Sequence, residues 1–191
     1  MTEAPGEAFG RYLPSPHHNE RPPGMAVELL VVHAISLPPG EFGGPYVDHL
    51  FLGCLDPREH PLFAELQGLR VAAHFLIDRG GRVTQYVPVS RRAWHAGASL
   101  WQGREGCNDF SVGVELEGTA DRPFEAVQYR HLAILLRTLQ TGLPLLADHN
   151  VAGHQHIAPR RKWDPGPGFD WELFRATLAA SGSHPHWRPV W

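Results

Sequence analysis

The chain has 191 residues, of which 17 are Lys or Arg and 20 are Asp or Glu, giving a formal net charge of −3. Its charges are dispersed, so it lacks the basic surface that non-specific binding to nucleic acid or anionic lipid requires. A chain of this length is expected to form a single domain, residues 1–191, with one core that buries about 70% of the unfolded surface.

The N-terminal sequence, the length of the apolar runs and the cysteine content further narrow the class of protein. Residues 1–7 have neither the basic start nor the apolar stretch of a secretory signal, which predicts a cytoplasmic protein. The apolar runs are far shorter than the roughly 20 residues that cross a bilayer, so no membrane association is expected. Cys54 and Cys107 are predicted to be free thiols, because two cysteines outside a Cys-x-x-Cys pair make no disulfide framework. The sequence indicates no obligatory protein partner.

The first third of the chain predicts an arm, a strand and a loop. Residues 1–25 are polar and rich in proline, which favours an extended arm over the domain surface. A strand is predicted at 27–33, where continuous Leu and Val indicate burial on both faces and a central position in the sheet. His33 is its last residue. The Pro- and Gly-rich segment 37–45 predicts a long loop near the site.

The middle of the chain predicts short elements and a hairpin. Two short helices are possible within 47–67. Strands are predicted at 74–78 and 83–87, joined by a turn across Arg79-Gly80-Gly81-Arg82, since a Gly-Gly pair suits a hairpin. A further strand, with alternating character, is predicted at 111–117.

Two helices complete the predicted fold. The clearer one is predicted at 124–141, opened by Pro123. The other is predicted at 170–180, with Asp170 as its N-cap. The tail 181–191 has no periodicity and is predicted to be mobile. Strands followed by helices, with a tight hairpin between strands, predict an α+β fold in which helices pack on the faces of a mixed central sheet.

Three side chains from separated segments are candidate ligands for a catalytic metal ion. They are His33, His154 after Gly153, and Asp164 in an Asp-Pro-Gly-Pro turn. An unpaired imidazole on a buried strand would be costly, and the prolines fix the backbone that carries Asp164. Two imidazoles and a carboxylate, with a fourth position left for water, suit a catalytic Zn²⁺ ion. The sequence therefore predicts a hydrolase with one zinc ion per chain.

Histidine number alone does not identify this site, because the chain contains 13 histidines. A competing cluster of His149, His154 and His156 would form a loose surface site instead. Most other histidines are interpreted as surface residues or as satisfied core residues, namely His17, His18, His49, His60, His184 and His186.

Two acidic residues and a lysine are candidates for the chemistry. Glu115 and Glu117 share one face of the strand at 111–117, and either could act as a general base on the attacking water. The alternative is that both are solvated strand residues. Lys162 could stabilise an oxyanion, or it could be an ordinary surface lysine.

Three further residues are candidates for substrate contacts. Arg70 and Arg161 could bind a substrate carboxylate through their planar guanidinium groups. Trp94 could stack on a sugar ring or an apolar peptide portion. The alternative interpretations are solvated arginines and ordinary core packing for the tryptophan.

From about Tyr12 to Phe174, the chain resembles the zinc-dependent N-acetylmuramoyl-L-alanine amidases related to peptidoglycan recognition proteins and phage T7 lysozyme. Within this family it is most similar to the cytoplasmic AmpD-type 1,6-anhydro-N-acetylmuramoyl-L-alanine amidases. The motifs that carry the resemblance are Val31-Val32-His33, the segment 36–45, Ala93-Trp94-His95-Ala96-Gly97, the segment 107–111, the segment 114–119, Ile157-Ala158-Pro159 and Asp164-Pro165-Gly166-Pro167.

The resemblance implies a residue for each role. It implies His33, His154 and Asp164 as the zinc ligands. It selects Glu115 over Glu117 as the catalytic carboxylate, with Lys162 as its electrostatic partner. The implied substrate is a muropeptide from wall turnover, in which an amide joins the lactyl group of anhydro-muramic acid to L-alanine. The implied reaction is hydrolysis of that amide.

The resemblance also implies substrate-binding residues, which are Arg70, Trp94, Asn108, Ala158 and Arg161. Three positions near the site depart from the family pattern: Ala34 replaces a common Asn, Gly106 a common Arg, and His156 a common Asp or Asn. Two alternatives to the recycling enzyme are a non-catalytic module that binds muropeptides and a lytic amidase that acts on intact peptidoglycan.

Overall fold

A computed structural model describes residues 9–191, and part of the predicted arm, residues 1–8, lies outside this range. Six strands form one sheet, namely β1 (Phe9–Tyr12), β3 (Leu29–Ile35), β4 (Phe75–Ile77), β5 (Val83–Gln85), β9 (Ser111–Glu117) and β10 (Val151–Gly153). Their order across the sheet is β1-β5-β4-β9-β3-β10. Two small sheets pair β2 (His18–Glu20) with β6 (Arg91–Ala93), and β7 (Leu100–Trp101) with β8 (Arg104–Glu105).

Helices complete an α+β architecture, as predicted. They are α1 (Tyr46–Leu52), α2 (Ala126–Gln140), α3 (His154–Ile157) and α4 (Trp171–Ala179), with 3₁₀ turns at Pro61–Leu66 and Cys107–Asp109. The two short helical segments anticipated within 47–67 are thus present. None of the helices in residues 9–191 combines the length and apolarity that crossing a bilayer requires.

The centre of the sheet is the parallel pair β3 and β9, in register from Leu29 opposite Ser111 to Ile35 opposite Glu117. The predicted central strand is confirmed, but its bounds were wrong by two residues, because Ile35 still pairs with β9. His33 therefore lies inside the strand and not at its end. Its backbone is fixed on both sides, since β10 also runs parallel to β3.

Side chains of β9 alternate between the two faces of the sheet. Val112, Val114 and Leu116 belong to the large core formed with α2 and α4. Ser111 and Glu115, offset by one residue, face the opposite side. The helices α2 and α4 thus cover one face of the sheet, and the polar side chains of β9 lie on the other face.

The hairpin and the helix starts follow largely from local sequence. The predicted hairpin is confirmed as the antiparallel pair of β4 and β5. Asp170 caps α4 by accepting hydrogen bonds from the backbone N–H groups of Glu172 and Leu173, as predicted. The start of α2 differs from the prediction: the helix begins at Ala126, and Glu125, not Pro123, precedes it as the N-cap in a reciprocal capping box with Gln128.

The two ends of the described chain lie against the sheet. Within the predicted arm, β1 pairs with β5 at the sheet edge, and β2 pairs with β6. The tail has no regular structure, yet the Val190 backbone exchanges hydrogen bonds with the Gln85 side chain. The Trp187 ring packs on Phe9, with centroids 5.3 Å apart. The end of the tail therefore contacts the sheet, and its mobility stays a prediction.

The sequence around His154 shows no helical or strand pattern, yet this segment is regular in the structure. It forms β10, which pairs with β3, and then turns directly into α3. A three-residue strand with no alternating pattern gives little periodic signal. Because β3, β9 and β10 are parallel, their carboxyl ends meet at one edge of the sheet, where ligands commonly bind in open sheets.

Candidate metal centre and active site

Three side chains meet at this edge through one atom each. His33 Nδ1 lies 2.9 Å from His154 Nδ1, and Asp164 Oδ2 lies 3.2 Å from the first nitrogen and 3.1 Å from the second. Both histidines are buried, whereas Asp164 is partly exposed. Donor atoms bound at 2.0–2.1 Å to a tetrahedral zinc ion would lie about 3.3 Å apart. The His₂Asp set therefore fits a small divalent metal ion.

The backbone around the three residues explains why they converge. His33 is held within β3, and His154 begins α3 at the end of the neighbouring strand β10. Gln155 ties α3 to the turn that carries Asp164: its N–H donates to the Asp164 carbonyl, and its side-chain oxygen accepts from Gly166 N. Two strands and one braced turn thus position the three donor atoms.

The competing cluster at 149, 154 and 156 does not form. His156 Nδ1 accepts a hydrogen bond from Gly153 N, which caps α3, and its ring packs against Trp171. His154 instead directs Nδ1 toward His33. Within residues 9–191, the set of His33, His154 and Asp164 is the one group of histidine, cysteine and acidic residues that could hold a metal ion.

Electrostatics within the cluster favour a cation. Burial lowers the pKa of His33 to about 4, despite the opposing hydrogen bond with Asp164, so this imidazole is neutral near pH 7. Burial alone would raise the pKa of Asp164, but its hydrogen bonds with His154 and His33 outweigh burial and lower that pKa. A neutral imidazole and an ionised carboxylate are the forms that coordinate a metal.

Glu115 and Glu117 lie on the same face of β9, but their carboxylates have different hydrogen-bond partners. Glu115 is registered opposite His33, and its Oε2 atom is buried without a hydrogen-bond partner among residues 9–191. Burial, and then the charge of Asp164, raise its pKa well above the usual value. Glu117 is also buried, but its carboxylate accepts hydrogen bonds from the N–H groups of Gly43 and Arg79. Neither residue is a solvated strand residue.

A cavity of about 510 Å³ opens onto the cluster. The three candidate ligands, Glu115 and Lys162 all line it. Apolar side chains from β3, the loop after it, α1 and the segment that follows α1 also line the cavity, namely Ile35, Leu37, Leu50, Phe51, Leu66 and Leu69. The cavity therefore combines polar, reactive side chains with an apolar lining.

Four of the five predicted substrate-binding residues line the same cavity, namely Arg70, Trp94, Asn108 and Arg161. The guanidinium carbon of Arg70 lies 5.1 Å from the centre of the Trp94 ring, so these two form one wall. Asn108 Oδ1 accepts from two backbone N–H groups of the adjacent loop, and Arg161 Nη2 donates to two carbonyls of that loop. Ala158 lines a neighbouring groove.

Two residues near the site received no role from the sequence. His95 Nδ1 lies 2.9 Å from His33 Nε2, although the two residues are 62 positions apart. Arg21, within the predicted arm, inserts its guanidinium group beside the backbone of residues 108–111. A clue to His95 was its place in the Ala93-Trp94-His95-Ala96-Gly97 motif, but no periodicity pairs it with His33. No comparable signal marks Arg21.

Comparison with known proteins shows which family the chain belongs to. The family pattern described as N-acetylmuramoyl-L-alanine amidase matches residues 23–167. The chain is 58% identical to the 1,6-anhydro-N-acetylmuramyl-L-alanine amidase AmpD of Salmonella typhimurium over 171 residues, or 90% of this chain and 91% of that protein.

Solved structures give the same result. A crystal structure of a selenomethionine AmpD derivative superposes with a TM-score of 0.86 at 53% identity, covering 93% of this chain and 99% of the other. The Escherichia coli amidase AmiD, solved with the substrate anhydro-N-acetylmuramic acid-L-Ala-D-gamma-Glu-L-Lys, has a TM-score of 0.58 at 28% identity. That match covers 87% of this chain and 63% of AmiD. This chain therefore belongs to the N-acetylmuramoyl-L-alanine amidase family and is an amidase of the AmpD type.

Proposed function

We propose that the chain is a zinc-dependent amidase of muropeptide recycling. It hydrolyses the amide that joins the lactyl group of 1,6-anhydro-N-acetylmuramic acid to L-alanine. The observation that carries the proposal is the convergence of two imidazoles and a carboxylate within 4.8 Å, in a cavity that Glu115 also lines. The similarity to AmpD, a 1,6-anhydro-N-acetylmuramyl-L-alanine amidase, and the substrate bound by AmiD support this choice of substrate.

His33, His154 and Asp164 would hold the zinc ion. A zinc ion bound there would supply Lewis-acid polarisation of the amide carbonyl and lower the pKa of a nearby water. Glu115 accepts a proton from the attacking water as the new C–O bond forms. It then delivers that proton to the alanine nitrogen as the C–N bond breaks, which leaves a free amine and a lactyl carboxylic acid that releases its proton to water. Its raised pKa suits a group that holds this proton between the two steps.

Lys162 is proposed to stabilise the negative charge that develops on the carbonyl oxygen. Lys162 lines the cavity together with the candidate ligands. Its positive charge acts to lower the pKa of both His33 and Glu115. A fixed ammonium group in a partly enclosed cavity acts more strongly than it would in water.

The remaining cavity residues are proposed to bind the muropeptide. Arg70 and Trp94 form a wall on which a sugar or peptide portion can rest. Arg161 engages loop carbonyls through Nη2, while a guanidinium group has five N–H donors in all, so it can also meet a peptide carboxylate. Asn108 is proposed to contact substrate from the cavity wall, and Ala158 from the adjoining groove.

The proposed substrate is a soluble wall fragment, and the proposed location is the cytoplasm, as expected from the sequence. Cell fractionation followed by immunodetection tests the location directly. Recovery of the protein in the periplasm or at the cell surface would contradict it.

The decisive assay uses a purified anhydro-muramyl tripeptide. Mass spectrometry should show the tripeptide and the anhydro sugar as separate products. Activity should disappear after chelation and return with Zn²⁺, and elemental analysis should find about one zinc ion per chain. Full activity in protein shown to be free of metal would reject the proposal.

Two comparisons separate the alternatives. Intact sacculi assayed beside the soluble fragment should be cleaved far more slowly, and equal cleavage would indicate a lytic amidase. Asp164→Ala should keep substrate binding but lose turnover. A wild-type protein that binds the fragment without cleaving it, with zinc present, would indicate a binding module.

A further inference from the structure

The outer nitrogens of both metal-facing histidines are bonded to one short loop. His154 Nε2 lies 3.0 Å from the carbonyl oxygen of Ala96, and His33 Nε2 lies 2.9 Å from Nδ1 of His95. A carbonyl oxygen can only accept, so His154 donates from Nε2. A histidine that coordinates a metal ion must be neutral, so the lone pair of His154 is then on Nδ1, which faces the ligand cluster.

The outer nitrogen of His33 faces an imidazole and not a carbonyl, so the position of its proton depends on that second ring. To offer a lone pair on Nδ1, a neutral His33 must carry its proton on Nε2, and the nearest acceptor there is His95 Nδ1. His95 must then carry its own proton on Nε2, where Ser111 Oγ lies at 3.2 Å. The chain from His33 through His95 to Ser111 thus fixes which nitrogen of each ring is protonated.

His95 is itself held firmly in place. Asn108 Oδ1 accepts hydrogen bonds from the backbone N–H groups of His95 and Ala96, at 3.2 Å and 2.8 Å. The ring rests directly on Gly113, where an added Cβ would come within 2.5 Å of the His95 ring. The Asn108 side chain therefore holds the loop that carries His95, and the His95 imidazole packs against the backbone of β9 at Gly113.

We propose that His95 is a positioning residue for the metal centre. It accepts the His33 Nε2–H and so presents His33 Nδ1 to the cation. Ala96, clamped by the same Asn108 side chain, does this for His154. Such outer partners are usually carboxylates, carbonyls or waters, and a neutral imidazole is a more demanding choice because it too must adopt one tautomer. The role of His95 rests on the proposed metal-dependent function of this site.

The test compares two substitutions at His95. His95→Leu removes the acceptor, whereas His95→Asn keeps an oxygen near the position of Nδ1. Zinc affinity is measured by competition with a chromogenic chelator, without reference to turnover. We expect zinc to bind about 10- to 100-fold more weakly to His95→Leu, and His95→Asn to recover most of the loss. The visible absorption of the Co²⁺-substituted protein should change in the first variant and return toward wild type in the second.

Further variants keep the test decisive. His131→Asn is the matched control, because His131 bonds to the Gly81 carbonyl on the other side of the sheet, and it should bind zinc like the wild type. His95→Gln has nearly the size of histidine but no acceptor at the Nδ1 position. It should therefore share the loss, and it replaces His95→Leu if that variant does not fold.

The outcomes separate this role from the proposed function. Wild-type zinc affinity in both His95→Leu and His95→Gln would overturn the positioning role and leave the amidase proposal intact. Lower thermal stability of the chelated protein without weaker zinc binding would show a merely structural residue and would also overturn it. A wild-type protein that binds no zinc would instead overturn the proposed function.

Discussion

His33 and Glu115 lie directly opposite each other on the adjacent parallel strands β3 and β9. Registered residues of neighbouring strands point to the same face of a sheet. Strand pairing alone therefore brings a proposed metal ligand and the proposed general base to one wall of the cavity. Both side chains are removed from bulk water at their reactive atoms, which shifts the pKa of each toward its neutral form.

The first prediction concerns proton transfer by Glu115. Glu115→Gln keeps the size and polarity of the side chain but cannot accept the proton of water. We expect kcat to fall by about 10²- to 10⁴-fold, with the zinc content unchanged. Rates are measured by chromatography of the anhydro-muramyl product, and zinc by elemental analysis. A kcat within a few-fold of the wild type would remove Glu115 from the mechanism.

Glu117 provides a matched control on the same face of the same strand. Its carboxylate accepts the N–H groups of Gly43 and Arg79, and so anchors the loop at 37–45 to the sheet. Glu117→Gln leaves one of these buried contacts poorly matched, which should lower the free energy of unfolding by about 1–3 kcal/mol. We expect kcat to change little. Urea denaturation and the kinetic assay together check this, and a large loss of kcat with unchanged stability would contradict it.

Lys162 should affect rate and not metal binding. Lys162→Met removes the ammonium group while keeping the aliphatic stem. We expect kcat to fall by about 10²- to 10³-fold, which is typical when one oxyanion-stabilising group is lost. Zinc affinity, measured with the same chelator competition, should stay near the wild-type value. If zinc affinity fell along with the rate, Lys162 would instead have a role in building the metal centre.

The sequence was informative where local patterns suffice. The apolar run of β3, the hairpin between β4 and β5, and the Asp170 cap each depend on residues close together in the chain. The convergence of the candidate ligands could also be anticipated, because the Asp-Pro-Gly-Pro turn is a local motif. Choosing Glu115 over Glu117 required the family resemblance. Its physical basis is tertiary, since only Glu117 has two backbone N–H donors within reach.

Other features could not be read from local sequence. The strand β10 is only three residues long, and it exists because β3 offers it an unpaired edge. His95 reaches His33 across 62 positions through a loop clamped by Asn108. Contacts of this kind arise from packing between distant segments, which neither helical nor strand periodicity encodes.

Arg21 should be a major contributor to stability behind the site. Its guanidinium group donates to the backbone carbonyls of Val89, Asn108, Asp109 and Ser111, and so joins the arm both to the segment after β5 and to the start of β9. Arg21→Met would leave these carbonyls unpaired. We expect the free energy of unfolding to fall by about 3 kcal/mol or more.

Two control variants test whether the loss of stability depends on the planar guanidinium group of Arg21 and on its position inside the protein. Arg21→Lys keeps the charge but lacks the planar fork, so it should be intermediate in stability. Arg58 is a fully exposed arginine paired with Asp56, and Arg58→Met should leave stability unchanged. Urea denaturation of all three variants checks this. Equal stability of Arg21→Met and the wild type would contradict the proposed clamp.

His74 should make the protein sensitive to acid. Its Nδ1 accepts the Gly113 N–H and its Nε2 lies 3.0 Å from the Arg91 carbonyl, so the ring is neutral and fully buried. Burial, and then the charge of Arg21, lower its pKa from 6.5 to about 3. The unfolded chain therefore binds a proton that the folded chain does not, at any pH between these two values. Stability from His74 is complete above about pH 6.5 and is lost progressively as the pH falls toward 3.

The contribution of His74 is separated from that of the other buried histidines by comparing the wild type with a variant that lacks the His74 imidazole. Urea denaturation of the chelated wild type and of His74→Gln is compared at pH 7 and pH 4.5, so that metal release does not contribute. The glutamine variant is expected to be less stable at pH 7, because it replaces two well-placed hydrogen bonds with weaker ones. Between pH 7 and pH 4.5, however, the wild type should lose about 2 kcal/mol more than the variant. An equal loss in both proteins would mean that His74 is protonated in the folded state, which its contacts with Gly113 N and Arg21 oppose.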